Sequence, residues 1–172
     1  FWMAPWVGVA PLGQQLLFAT WQGLCLLPLL WRLDFRLQFG WWRWGLAGYG
    51  LALLGGMLYQ WLVQPEPSIN RAVEMVMQAR GWYLALWLTS LCVISPALEE
   101  AWYRTVLSGP QPARGLFAAV VFGLVHCDPS MLLPLIWLGL TFAWARWGGG
   151  YWAAFLSHAL WNVTTACWLF MA

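Results

Sequence analysis

Long apolar runs, one after another with almost no charge inside them, constrain this chain more than any other feature. A helix that crosses roughly 30 Å of hydrocarbon needs about 20 mostly apolar residues. Six segments answer that description: Val7 to Leu30, Leu46 to Val63, Trp82 to Leu107, Leu116 to His126, Leu132 to Trp147 and Trp152 to Met171. The fourth is short unless it starts near Ala113. In lipid every backbone N–H and C=O has to be paired within the chain, which leaves helices or closed barrels. Runs this long, with Ala, Leu and Gly mixed throughout, favour helices over short alternating strands. The expectation is an all-α, polytopic membrane bundle of about six transmembrane helices, forming one domain over residues 1–172.

Composition agrees with lipid as the main solvent: 62% of the residues are apolar and 8% charged, too little polar surface to keep a soluble domain of this length wet. All eight basic residues are arginine and the net charge is only +2, which excludes a nucleic-acid partner. Many of the seventeen tryptophans end apolar runs (Trp31, Trp41, Trp42, Trp44, Trp61, Trp82, Trp147, Trp152), where an indole anchors in the headgroup zone. The remaining tryptophans read as lipid-facing bulk. Cys25, Cys92, Cys127 and Cys167 stand singly in apolar stretches and read as small buried residues rather than ligands or disulfide partners. The chain opens at Phe1, so further residues are expected before it.

Orientation follows from the arginines. Arg32, Arg36, Arg43, Arg114 and Arg146 fall in the first, third and fifth connections, which the positive-inside rule assigns to the cytoplasmic side. The stretch Ser68 to Arg80 carries Ile69, Val73, Val76 and Met77 at helical spacing and reads as a surface helix along the opposite leaflet.

Ionisable groups inside lipid are costly, so each calls for a partner or a function. In the third span Glu99 and Glu100 are adjacent, and Glu100 stands four residues before Arg104, the favourable order for a pair on one helix face. Glu99 points about 100° away around the helix and is left without a local partner. In the fourth span Phe122 and His126 share a face, and in the sixth His158 and Asn162 do the same. The economical arrangement is convergence of Glu99, His126, His158 and Asn162 in one cavity between helices. Spacing alone leaves the plainer readings open: a Glu–Arg fastener between helices, and histidines that are satisfied core residues.

Glu99-Glu100-xxx-Arg104, Phe122-xxx-His126 and His158-xxx-Asn162, in that order, resemble the three motifs of the CPBP (CAAX protease and bacteriocin-processing) family, which includes the CAAX prenyl-protein endopeptidases. The text between them is similar too, from Phe122 to Pro129 (FGLVHCDP) and from Arg146 (RWGGGYW) into Ser157-His158-Ala159. The resemblance covers residues 95–165, the expected catalytic core. It implies peptide-bond hydrolysis within the membrane, on a membrane-associated peptide such as a prenylated CAAX sequence or a leader. Carried over, Glu99 with His126 activates the attacking water, His158 and Asn162 stabilise the oxyanion, and Glu100 with Arg104 holds the site in shape. A desolvated carboxylate can take a proton from water near neutral pH, and donors in a dry cavity stabilise a developing charge strongly. Two departures stand out: Tyr103-Arg104-Thr105 where the family has Phe-Arg-Gly, and Gly149 and Tyr151 where it has serine and leucine.

A rival mechanism keeps the residues and adds zinc at His126 and His158 with a glutamate. The metal-free form, with no cofactor, is favoured, because there is no HExxH spacing and asparagine is an unusual zinc ligand. A rival of another class is a non-catalytic subunit or assembly factor of a larger membrane complex. Retention of all six polar motif residues argues against it. A transporter reading lacks the inverted repeat it would need.

Overall fold

The computed structural model describes residues 35–63, 81–107, 112–126 and 128–171, with a few positions between 20 and 27. Most of the expected first span and all of the expected surface helix at Ser68 to Arg80 lie outside the described residues. Among the described residues every regular element is helical and there is no strand. The elements are α1 (Trp41–Val63), α2 (Gly81–Thr89), a π turn (Ser90–Ile94), α3 (Ser95–Ala101), a second π turn (Trp102–Leu107), α4 (Pro112–Val125), a 3₁₀ turn (Pro129–Met131) and α5 (Leu132–Met171).

Helix α5 is 40 residues long, yet it is not straight. Gly150 sits at φ 76° and ψ −167°, a conformation closed to residues with a Cβ. The chain reverses there, and two observations require it. A Cβ built on Gly48 of α1 would lie 2.8 Å from Ser157 Oγ and 2.9 Å from Ala145 Cβ, although residues twelve apart on a straight helix are separated by about 18 Å. The rings of Phe142 and His158 stack with centroids 4.5 Å apart, where a straight helix would hold them about 24 Å apart. The limbs 132–149 and 151–171 therefore lie side by side, which corresponds to the fifth and sixth spans read from the sequence.

Helix α1 packs on both limbs through its smallest residues, Gly45, Gly48 and Ala52, all buried. Without a hydrophobic effect between helices in lipid, such close backbone approach is what dispersion contacts need. Polar side chains then fasten it: Tyr49 Oη and Thr164 Oγ1 are 2.6 Å apart, and Trp137 Nε1 donates to the Leu51 carbonyl at 3.0 Å. The outer face of α1 is apolar and exposed at Leu54, Met57, Leu58, Trp61 and Leu62. Of its most apolar 18-residue window only 11% is buried, the inverse of a core helix in a soluble protein.

By length and composition, Trp41–Val63 and Leu84–Arg104 are long and apolar enough to cross a membrane, while Arg114–Val125 is apolar but shorter. The end-of-run tryptophans Trp42, Trp44, Trp61, Trp82 and Trp147 are exposed, as anchors should be. Trp87 departs from the lipid-facing expectation and is buried. Of the two described cysteines, Cys92 is buried as expected, whereas Cys167 is exposed.

Candidate active site

The carboxylates sit on a helix interrupted on both sides. Pro96 has no N–H, and just before it the Ser95 N–H reaches back five residues to the Ser90 carbonyl, one residue further than in an α-helix. After Ala101 the Trp102 N–H is still shared between the carbonyls three and four residues back, Glu99 and Leu98, and the second π turn then runs through Trp102–Leu107. Seven α-helical residues, Ser95–Ala101, are thus held between two π turns, features that gather at functional sites.

On this short helix the adjacent glutamates have different environments. Glu100 has no solvent exposure. Its Oε2 accepts from Arg104 Nε at 3.0 Å, and Arg104 is equally buried. Its Oε1 lies 3.0 Å from His158 Nδ1, the nitrogen that must carry a proton to donate to a carboxylate. The expected Glu100–Arg104 pair is therefore part of a chain, Arg104–Glu100–His158. Glu99 keeps 22% side-chain exposure, and its Oε2 faces His158 Nε2 at 3.9 Å. Contrary to the sequence expectation, Glu99 has a local partner: Ser95, one turn earlier, donates its hydroxyl to Oε1 at 2.5 Å.

Aromatic rings fix the imidazole between the two carboxylates. Phe142 stacks on His158 with an interplanar angle of 16°, and Phe122 meets it edge-on at 5.8 Å. Phe122, 1% exposed, also lies 4.7 Å from the His126 ring and edge-on to Tyr103. His126 Nδ1 is 2.6 Å from the Phe122 carbonyl, which can only accept, so the proton is on Nδ1 and Nε2 is the acceptor of the ring. Glu99 and His158 are the ionisable side chains of the cluster within electrostatic reach of His126. Asn162 is turned elsewhere with one of its N–H groups, donating from Nδ2 to the Leu91 carbonyl at 2.9 Å.

Of the six residues singled out by sequence, Glu99, Glu100, Arg104 and His158 form one connected cluster, with His126 beside it across Phe122. Asn162 joins through the backbone of the first π turn. Sequence reasoning missed Tyr151, which is buried and donates its hydroxyl to the Ala97 carbonyl at 2.9 Å, bracing the glutamate helix. Its departure from the family pattern was the available signal. No group of three His, Cys, Asp or Glu side chains among the described residues is arranged to hold a metal ion. In His126 and His158 it is Nδ1 that is engaged, with the Phe122 carbonyl and with Glu100, so Nε2 is the nitrogen of each ring that either the metal-free or the zinc mechanism would use.

Comparison with known proteins matches residues 81–164 to the type II CAAX prenyl endopeptidase Rce1-like family. The matched segment, a little under half of the chain, is thus similar to CAAX-type endopeptidases. The "Putative membrane peptidase YdiL" of Bacillus subtilis (strain 168) is 29% identical over 133 residues, covering 69% of this chain. The chain spans about half the length, 52%, of that curated relative. No solved structure matches. The family match and the apolar, exposed helices together support a membrane protein, and the matched stretch contains all six motif residues, Glu99 to Asn162.

Proposed function

We propose that this chain is a multi-pass intramembrane endopeptidase that hydrolyses a peptide bond in a membrane-associated substrate, using water activated by Glu99. The substrate class that fits the CAAX protease family is a peptide held at the membrane by its own apolar or prenyl group. One observation carries the reading: of two adjacent glutamates, Glu100 is fully buried and committed to Arg104 and His158, whereas Glu99 retains exposure and faces His158 Nε2. A purely structural pair would not need the second carboxylate.

The steps follow from the atoms. Water between Glu99 and the acceptor Nε2 of His126 gives its proton to Glu99 as it attacks the scissile carbonyl. His158, when protonated, donates from both nitrogens, Nδ1 to Glu100 and Nε2 to the oxygen that becomes an oxyanion. Asn162 has a second N–H for the same oxyanion, since only one is used at Leu91. Collapse of the intermediate breaks the C–N bond, and Glu99 returns the proton to the leaving amine.

The test is cleavage of a prenylated CAAX peptide by the purified protein in bilayers, followed by mass spectrometry. Glu99→Gln preserves shape and removes basicity, and the rate should fall about 100-fold or more. Full activity in that variant would reject Glu99 as the base. Absence of cleavage by the parent would turn the reading to a non-catalytic subunit of a larger membrane complex.

A further inference from the structure

The Leu91 carbonyl lies in the first π turn and lacks both backbone donors that a helix could offer. In an α register its donor would be the Ser95 N–H, but that group is bound to the Ser90 carbonyl. In a π register the donor would be the N–H of residue 96, and residue 96 is proline, which has none. Asn162, on the second limb of α5, reaches across 71 residues of sequence and donates Nδ2 to this carbonyl at 2.9 Å.

We infer that Asn162 is a positioning residue: its carboxamide replaces the missing Pro96 N–H, holds the π turn open by one residue, and so sets the rotation of Ser95–Ala101. The consequence at the site is angular. Losing the extra residue of the π turn would turn the following helix by about 100°. That would carry Glu99 off the side that faces His158 and withdraw Glu100 from between His158 and Arg104. Asn162 and the glutamate pair are thereby coupled through backbone, in addition to any contact Asn162 makes with substrate. The catalytic consequence rests on Glu99 as general base; the lock itself does not.

A double-mutant cycle in the full chain separates the two. Pro96→Ala restores an N–H able to serve Leu91, so it should make Asn162 partly dispensable. Thermal unfolding in detergent needs no activity: Asn162→Ala should lower the midpoint in the parent and by less than half as much beside Pro96→Ala. In the prenylated-peptide assay, adding Pro96→Ala to Asn162→Ala should recover kcat by about tenfold, the scale of one rescued carbonyl, with KM unchanged. Equal unfolding shifts in both backgrounds would overturn the lock. Coupling in unfolding without recovery of kcat would overturn the positioning role. If Asn162→Ala does not fold alone, folding of the double variant supports the lock and its failure to fold overturns it. Should the parent cleave nothing, the proteolytic reading fails while the unfolding cycle still decides the lock.

Discussion

Replacing Glu100 with glutamine removes one charge from a side chain that has no solvent exposure and faces two donors. Its two oxygens receive Arg104 Nε and His158 Nδ1, each at 3.0 Å. A glutamine has one carbonyl oxygen, so only one donor keeps its acceptor; the other meets an NH2 group. Each hydrogen bond to a charged group contributes about 1.5–3 kcal/mol, and breaking a buried pair by removing one partner costs about 3–5 kcal/mol. The larger range applies here because neither Glu100 nor Arg104 touches solvent. Arg104→Ala breaks the pair from the other side and should show a loss of the same size. Glu99→Gln is the control: the glutamine oxygen can still accept from Ser95, and the partly exposed side chain should lose no more than about 1 kcal/mol. Reversible unfolding in mixed micelles, followed by tryptophan fluorescence, gives all three values. If Glu100→Gln and Arg104→Ala unfold within about 1 kcal/mol of the parent, the buried chain Arg104–Glu100–His158 is not what holds these helices together.

Tyr151→Phe keeps the ring against Phe35 and Phe155 and deletes only the hydroxyl that donates to the Ala97 carbonyl. It should reduce stability by about 1 kcal/mol, measured in the same unfolding assay; an unchanged midpoint would show that Tyr151 braces nothing. A strong chelator should leave peptide cleavage unaffected, whereas loss of activity with recovery on adding zinc would establish the metal mechanism. With six spans and odd connections cytoplasmic, single cysteines placed between Arg32 and Arg43 and between Gly148 and Gly150 should be labelled from the same side. Labelling from opposite faces would refute that topology.

The apolar runs by themselves determined a great deal. Backbone groups in lipid must bond within their own segment, so long runs of Leu, Ala and Trp become helices whatever surrounds them. Most described helices begin and end close to the limits read from the runs, with α4 starting at Pro112 near the earlier of its two candidate starts; α1 instead starts at Trp41, a full turn before the expected Leu46. The Glu100–Arg104 pair was equally legible, because a spacing of four on a helix is a local fact. Other features needed the third dimension. Local spacing could say that Glu99 diverges from Glu100, but not that Glu100 would reach His158, 58 residues away, nor that Phe142 would stack on that imidazole. A reversal confined to Gly150 brings those residues together, and the glycine-rich run 148–150 marked the turn without revealing which faces would meet. Ser95 beside Glu99 was local and could have been read from its i,i+4 spacing; the π turns could not. Proline removes a donor and crowds the carbonyl four residues back, and whether the helix kinks, breaks or widens then depends on what supplies the orphaned carbonyl. Here that donor is Asn162 on another helix, a partner that only packing could provide.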